Sequence, residues 1–419
     1  MRLIPPSWPV LKAVLFLIFL PCHAEESVSL SQGGPSLPIE IRHVRTLENP
    51  LPGSNGNCHL LPGTAGEEPR FAVSLATSYD NCTVVFYNAQ LEKVATWREP
   101  IAGGEKVMVI TSGDLDGDGG VEIVLSVRKK AAGAYALQWN ERTDEMDTIW
   151  SFTDVHEAPF YRGIEVGNFT ADEGKEVCLG ADDGGLYLLD KDGKFLARRN
   201  LKGATIQSID VCDHDGDGLD EMIVATGRNP GQVHYVRWVP ETLELDVAWS
   251  ANVTPDYRRG DDYDGPVFYH DGTPTRRGGN NSYEALYHPN GHPDGGGAIA
   301  VGTEQESPRY ARAGSVLLLD MEGRELWHYT YPPAEERGGA CGFADITGDG
   351  RPEILSRYER KLTGTQEVGI LIFDNRGCVL ARIPGVTASS AGPYVFRPNG
   401  DGTHPIYVLA TRNVYEVVE

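Results

Sequence analysis

Basic residues are scarce in this chain. Lys and Arg number 37 against 60 Asp and Glu, so the 419 residues carry a formal net charge of −23 at pH 7. An acidic surface of this kind repels phosphate backbones and anionic lipids, which argues against nucleic acid as a partner. After residue 24 no apolar run is long enough to suggest a membrane span.

Several catalytic and metal motifs are also absent. The chain has no Gly-x-Ser-x-Gly turn, no phosphate-cradling Gly loop, no His-Glu-x-x-His motif and no Cys-x-x-Cys spacing. Six cysteines follow residue 24, and six allow fifteen disulfide connectivities. Those inside apolar stretches, as in Val177-Cys178-Leu179, also fit as small core residues.

Residues 1–24 resemble a secretory signal peptide. Arg2 and Lys12 precede the apolar stretch Ala13–Leu20, and Cys22-His23-Ala24 fits a cleavage site. The stretch is too short to cross a bilayer. We therefore expect a secreted or periplasmic protein whose mature chain starts near Glu25. We also expect a monomer.

One acidic pattern is repeated three times. Loops 114–122, 213–221 and 345–353 place oxygen-bearing side chains at positions 1, 3, 5 and 9, with glycines at positions 4 and 6. Carboxylates this close repel each other unless a divalent cation lies between them, and Ca²⁺ takes six to eight oxygen ligands. The candidate Ca²⁺ ligands are Asp114, Asp116, Asp118, Glu122, Asp213, Asp215, Asp217, Glu221, Asp345, Thr347, Asp349 and Glu353.

The pattern differs from an EF-hand, whose loop has twelve residues, a Glu at position 12 and flanking helices. A solvated Asp-Gly turn is an alternative for any single loop. Identical ligand spacing in three loops favours bound Ca²⁺ instead. Less complete copies of the pattern begin at Asn168, Asn290 and Asn399.

A unit of about 45–55 residues repeats after residue 50. It is clearest where strands are predicted over 161–168, 176–181, 185–190 and 195–199. Four short strands per unit predict an all-β fold, a seven-bladed β-propeller. Ile39–Leu47 alternates like a strand and is expected to close the last blade. The expected organisation is a signal peptide at 1–24, an N-terminal segment with the closing strand at 25–54, and the propeller at 55–419.

The loops, taken with the strands that follow them, resemble FG-GAP/VCBS repeats. Ser112–Val124 and Ala344–Leu355 carry this likeness to the calcium-loop propellers that include integrin α-subunit heads. Gly185–Asp190 and Ser315–Trp327 also resemble quinoprotein-type blades. The resemblance implies that the twelve residues above bind Ca²⁺. Thr347 departs from the usual carboxylate or amide, so the third loop is expected to be the weakest of the three Ca²⁺ sites.

Residues 252–281 interrupt the repeat, with a hairpin expected at Asp271-Gly272. Long loops in compact domains are usually functional or disordered. Its place in the repeat predicts that this insert overhangs the central channel on the face opposite the acidic loops. Aromatic rings and Arg side chains bind acidic sugars and peptide carboxylates. The candidate ligand-binding residues are Arg258, Tyr263, Tyr269, Arg276 and Arg277 of the insert, with Arg162 and Arg337 from nearby connections.

These features favour a secreted, calcium-stabilised binding or interaction module for an extracellular glycan or protein. The alternative is a polysaccharide lyase acting on uronate-containing glycans, because rhamnogalacturonan lyases carry similar acidic loops. Such a reaction needs a base and a positive group beside the uronate, and His270, Tyr263 and Arg276 are the candidates. A third interpretation is that the insert only supports the rim of the propeller.

Overall fold

The chain divides into two compact units, residues 1–32 and 33–419. The computed structural model describes parts of the second unit, and all statements below concern those parts. They are residues 40–46, 57–61, 70–77, 81–88, 92–98, 106–128, 133–140, 142–143, 145–153, 161–201, 205–227, 231–253, 268–270, 273–275, 280–305, 314–331, 336–337, 341–362, 365–384, 394–396, 406–410 and 413–418.

Strands and turns account for all of this described structure, which confirms the predicted all-β fold. The first strand is β1 (Glu40–Thr46). Sheets 1 to 3 follow, and their strands are β2 (Asn57–Leu61), β3 (Arg70–Thr77), β4 (Asn81–Tyr87) and β5 (Lys93–Arg98); β6 (Lys106–Gly113), β7 (Glu122–Arg128), β8 (Ala134–Asn140) and β9 (Glu145–Phe152); β10 (Tyr161–Gly167), β11 (Glu176–Ala181), β12 (Gly185–Leu189) and β13 (Phe195–Asn200).

Sheet 4 comes next, and a two-stranded sheet separates it from sheets 5 to 7. The strands in order are β14 (Thr205–Cys212), β15 (Glu221–Gly227), β16 (Gln232–Val239) and β17 (Glu244–Asn252); β18 (Phe268–His270) and β19 (Thr273–Thr275); β20 (Asn280–His288), β21 (Ala298–Gln305), β22 (Gly314–Leu319) and β23 (Glu325–Thr330); β24 (Glu336–Arg337), β25 (Cys341–Ala344), β26 (Glu353–Leu362), β27 (Thr365–Phe373) and β28 (Val379–Pro384); β29 (Tyr394–Phe396), β30 (Ile406–Ala410) and β31 (Asn413–Val418).

Each large sheet is an antiparallel meander. Among the described strands six sheets have four members, and sheet 6 has five because β24 and β25 both pair with β26. Sheet 7 is completed by β1, whose Glu40 lies opposite Val418 of β31. In the insert, β18 and β19 pair with His270 opposite Thr273, which confirms the predicted hairpin. The number of blades and the closure of a propeller stay predictions.

The hydrophobic core lies between consecutive sheets. Each cluster of buried side chains draws on two neighbouring sheets, from sheets 1 and 2 through to sheets 5 and 6. Central strands are therefore covered on both faces, and every residue of β11 and β12 is buried. Cys178 and Cys212 are buried free thiols, so among the described residues these two act as small core side chains.

The first strands of neighbouring sheets contact one another. Such contacts join β6 to β10, β10 to β14, and β14 to β20. Side chains link these strands: the Thr111 hydroxyl donates to Glu165 at 2.9 Å, and Asp210 accepts the Tyr287 backbone N–H at 2.6 Å. Because the predicted acidic loops of sheets 2 and 4 follow β6 and β14, these contacts also fix where those two loops begin.

Candidate cation-binding loops

Each predicted acidic loop joins two consecutive strands of one sheet. Loop 1 is 114–122 between β6 and β7, loop 2 is 213–221 between β14 and β15, and loop 3 is 345–353 between β25 and β26. The glycines at positions 4 and 6 have positive φ in all three loops, for example 78° at Gly117 and 88° at Gly119. Only glycine adopts that backbone without strain, so the sequence pattern and the loop shape have one cause.

Backbone N–H groups hold the aspartates of loop 1 in place. Asp114 accepts the N–H of Gly117 at 2.8 Å and of Gly119 at 3.1 Å, one on each carboxylate oxygen. Asp118 accepts the N–H of Gly120 at 2.6 Å. Loop 2 repeats the arrangement, since Asp213 accepts from Gly216 at 2.8 Å and Gly218 at 3.1 Å. The carboxylates are thus oriented by the loop itself.

The glutamate at position 9 hydrogen-bonds back to the start of each loop. In loop 1 the Glu122 side chain accepts the Leu115 N–H at 2.8 Å, and the residue is only 2% exposed. Glu221 and Glu353 accept the N–H at position 2 of their own loops in the same way, at 3.1 Å and 2.7 Å. Burial raises the pKa of all three glutamates, which means that each buried negative charge lacks full solvation.

Two groups of carboxylates lie close enough to share a cation. Oxygens of Asp114, Asp116 and Glu122 lie within 4.8 Å of one another, and so do those of Asp213, Asp215 and Asp217. Oxygens that bind one Ca²⁺ at about 2.3–2.6 Å stand up to about 5 Å apart, so both groups fit this ion. Within the described residues these are the two groups of three acidic or Cys/His side chains that could hold a metal.

Loop 3 differs from the first two at position 3. The Thr347 hydroxyl donates to Glu353 at 3.0 Å, and its N–H donates to the same carboxylate at 3.1 Å. The incomplete loop at 168–176 has the same arrangement, with the Thr170 hydroxyl donating to Glu176 at 2.5 Å. At positions 3 and 9 loop 3 therefore follows 168–176. Its first aspartate keeps the contact seen in loop 1, since Asp345 accepts the Gly350 N–H at 3.0 Å.

The predicted ligand-binding residues are only partly described. Arg162 lies on β10, where it donates to Gln207 at 3.3 Å and its Nε lies 3.6 Å from an Asp182 oxygen. Tyr269 and His270 belong to β18 and Arg337 to β24, but their side chains lie outside the described residues. So do Arg258, Tyr263, Arg276 and Arg277. The insert site and its catalytic candidates stay predictions.

Sequence reasoning missed two inner carboxylates, Glu165 on β10 and Asp210 on β14. Although each residue keeps some accessible surface, burial raises the pKa of Glu165 to about 8 and that of Asp210 to about 6. The Asp210 carboxylate adds to the shift at Glu165. The sequence indicates these two residues only by a single acidic residue between apolar neighbours, as in Ile209-Asp210-Val211. That pattern also describes an ordinary exposed strand position.

Comparison with known proteins gives a likeness of fold. No protein-family model matches the chain, and no curated protein sequence matches it. The crystal structure of BBS1N in complex with ARL6DN, soaked with lead, matches with a TM-score of 0.54 and 10% identity, over 90% of this chain and 95% of that chain. The mercury-soaked form matches with a TM-score of 0.52 and 12% identity, over 90% of this chain and 96% of that chain. The crystal structure of Sqt1 from Saccharomyces cerevisiae matches with a TM-score of 0.49 and 12% identity, over 92% of this chain and 98% of that chain.

BBS1N is a β-propeller. The repeated four-stranded antiparallel sheets of this chain agree with that likeness, which at these identities concerns the fold alone. The predicted β-propeller is confirmed at this level. Membership of the FG-GAP/VCBS group stays a prediction. In the described part of the chain no helix is long and apolar enough to span a membrane.

Proposed function

We propose that this protein is an extracytoplasmic, calcium-stabilised β-propeller of seven blades that binds another protein. The proposal rests on two clusters of three carboxylates, one in loop 1 of sheet 2 and one in loop 2 of sheet 4. The pairing of β1 with β31 and the contact of β2 with β30 support closure into a ring. The export step follows from residues 1–24, which lie outside the described residues.

Calcium is the cation that suits these loops best. Their ligands are carboxylate oxygens, which hard cations prefer, and Ca²⁺ accepts more irregular geometry than Mg²⁺. The FG-GAP/VCBS resemblance points to the same ion. The position-1 aspartates accept N–H groups of their own loops, so an ion bound there ties one turn together. That is a structural role, and the ion has no part in bond-making here.

A protein partner agrees best with the neighbouring fold. BBS1N was crystallised in complex with ARL6DN, which is a statement about that protein. For this chain the net charge of −23 favours partners that present a basic surface, since charge complementarity raises the rate of association. The candidate residues of the insert for glycan binding or a lyase reaction lie outside the described residues, so both stay alternatives.

Calcium titration of chelator-treated protein, followed by calorimetry, tests the ion sites. We expect uptake at loops 1 and 2, and we expect Asp116→Asn and Asp215→Asn each to remove one ion. Mg²⁺ at the same concentration is the control and should bind more weakly. Protein that takes up no Ca²⁺ contradicts the proposal.

Arrays of peptides and of uronate glycans, each probed with and without Ca²⁺, test the partner class. We expect capture by basic peptides in the presence of Ca²⁺, and no glycan capture. The readout on glycans includes the absorbance of unsaturated sugar ends. Such ends, or glycan binding alone, would replace the protein-interaction proposal with the lyase or carbohydrate alternative.

A further inference from the structure

The incomplete loop at 168–176 lies between loops 1 and 2, and we name it the bridge segment. On one side it contacts loop 1, where the Lys175 N–H donates to the Leu115 carbonyl at 2.8 Å. Gly174 lies so close that a Cβ there would come within 2.6 Å of the same carbonyl oxygen. Leu115 is also the residue whose N–H is held by Glu122 at 2.8 Å. The backbone of loop 1 is thus fixed against the bridge segment.

On its other side the bridge segment is bonded to loop 2 through Asn168. The Asn168 N–H donates to the Asp220 carboxylate and the Asp220 N–H donates to the Asn168 carbonyl, both at 2.7 Å. The Asn168 side-chain amide donates to the Gly218 carbonyl. Gly218 donates its own N–H to Asp213, a member of the loop 2 carboxylate group. Asn168 therefore holds positions 6 and 8 of loop 2.

The interior of the bridge segment is braced by its own glutamate. Glu176 accepts the backbone N–H groups of Phe169 and Thr170 at 2.8 Å and 3.0 Å, and the Thr170 hydroxyl as well. Glu176 and Thr170 are both buried. The first residues of the bridge segment are therefore hydrogen-bonded to Glu176, which is the chain neighbour of Lys175.

We infer that cation binding at loop 1 and at loop 2 is positively coupled through the bridge segment. This inference rests on the proposed calcium function. An ion in loop 1 orders Leu115 and hence the bridge segment, which then presents Asn168 to loop 2 already in place. The second ion has less conformational entropy to remove and binds more tightly, and by linkage the effect is the same in the reverse order.

The sign of the effect separates this coupling from simple electrostatics. Two divalent ions on one protein repel each other, and salt screens that repulsion. Without a mechanical link the second ion would bind equally well or more weakly. Tighter binding of the second ion is therefore specific to coupling through the protein.

The experiment compares calcium affinities measured by calorimetry in an Asp349→Asn background, which restricts binding to loops 1 and 2. Asp116→Asn then leaves loop 2 alone, and Asp215→Asn leaves loop 1 alone. We expect the two-site association constant to exceed the product of the single-site constants by at least about fivefold. Addition of Asn168→Ala should lower that ratio, because the side-chain bond to Gly218 is lost while the two backbone bonds with Asp220 remain.

Asn140→Ala is the matched control. It removes an Asn side chain from sheet 2 that donates to Asp147 and accepts the Arg142 N–H but joins no two acidic loops. It should leave the ratio unchanged. A ratio of one or less with Asn168 intact overturns the coupling while the calcium sites stand. Absence of calcium uptake in all variants overturns the proposed function itself. The single-site comparison does not depend on the folding of the Asn168 variant.

Discussion

Position 3 of each acidic loop holds either Asp or Thr, and the choice changes what the neighbouring glutamate does. With Thr347 or Thr170 the hydroxyl donates to the glutamate at position 9. With Asp116 that position instead carries a carboxylate, which lies in one group with Glu122. One side chain therefore separates a loop that closes on itself from a loop that presents three carboxylates to a cation.

Thr347→Asp should convert loop 3 into a stronger cation site. The change adds a carboxylate and frees Glu353 from the hydroxyl, and calcium affinity rises with the charge of the ligand set. We expect one additional ion per molecule by calorimetry, or an affinity gain at loop 3 of about tenfold. Thr347→Val removes the hydroxyl without adding charge and should give no gain. A Thr347→Asp protein that binds as the parent does would contradict this role of position 3.

Glu165 should make the stability of the fold depend on pH. Its folded pKa of about 8 exceeds the ordinary value of 4.5, so the folded state binds this proton more tightly than the unfolded chain does. The free energy of unfolding therefore falls as pH rises between these values, by at most about 1.4 kcal/mol per unit of pKa difference. The groups around its carboxylate are Asp210, the Thr111 hydroxyl and the Cys178 thiol.

Glu165→Gln keeps an acceptor for Thr111 but removes the charge. Urea unfolding should show a flatter pH dependence for this variant, and its stability relative to the parent should be higher at about pH 8 than at about pH 5. Glu241→Gln, at an exposed turn, is the control and should follow the parent. Parallel pH profiles of Glu165→Gln and the parent protein would show that Glu165 is not the titrating group.

Outer strands are tied to the next sheet by a repeated tryptophan. The indole N–H of Trp150, Trp249 and Trp327 donates to the carbonyl of Lys191, Met321 and Asn375, at 3.0, 2.9 and 3.0 Å. Each carbonyl belongs to the last turn of the following sheet, and a glycine of that turn faces the ring. Each tryptophan comes directly after a β-bulge in its strand.

The partner glycine accounts for where the tryptophan occurs. Where the last turn of the following sheet has no glycine, as at 140–143 and 239–243, the residue after the bulge is alanine instead, namely Ala95 and Ala197. A Cβ at Gly323 would come within 2.8 Å of the Trp249 ring. The ring thus requires the bare backbone of glycine, and the two residues form one unit across the boundary between sheets.

Gly323→Ala should destabilise the protein by about 2–4 kcal/mol, because it adds a clash with Trp249 to the strain of positive φ. Gly295→Ala is the matched control, since Gly295 also has positive φ, 98°, but no atom would lie within 4 Å of its Cβ. That control should cost about 1–2 kcal/mol. Chemical unfolding followed by tryptophan fluorescence measures both. Equal losses would mean that the ring contact contributes nothing.

The sequence predicted those features that depend on neighbouring residues along the chain. Strand alternation and Asp-Gly turns placed β11 at its observed bounds, and position-specific glycines located loops 1 and 2. The tryptophan contacts, the bridge segment and the bond between Thr111 and Glu165 join residues about 40 to 70 positions apart. Such contacts depend on which strand of the next sheet lies alongside, and local pattern carries no information about that.

Across the whole protein, cation binding should set the thermal stability. An ion that binds only the folded state adds about 2.7 kcal/mol when its concentration is 100 times Kd. For a chain of this size each kcal/mol of added stability raises Tm by about 2 °C or less. Two occupied loops should therefore raise Tm by several degrees. Excess chelator should reverse this rise, with melting followed by calorimetry at constant ionic strength.

Asp116→Ala and Asp215→Ala divide this effect between the two loops. Because binding at the two loops is coupled, each should remove more than half of the calcium-dependent rise in Tm. In the Asp349→Asn background the double variant should melt at one temperature with or without Ca²⁺. Because the net charge is −23, added salt alone also relieves repulsion among the carboxylates, so NaCl and MgCl₂ at matched ionic strength are the necessary controls. If those salts raise Tm as much as Ca²⁺ does, the stabilisation is general screening, and the loops are ordinary acidic turns.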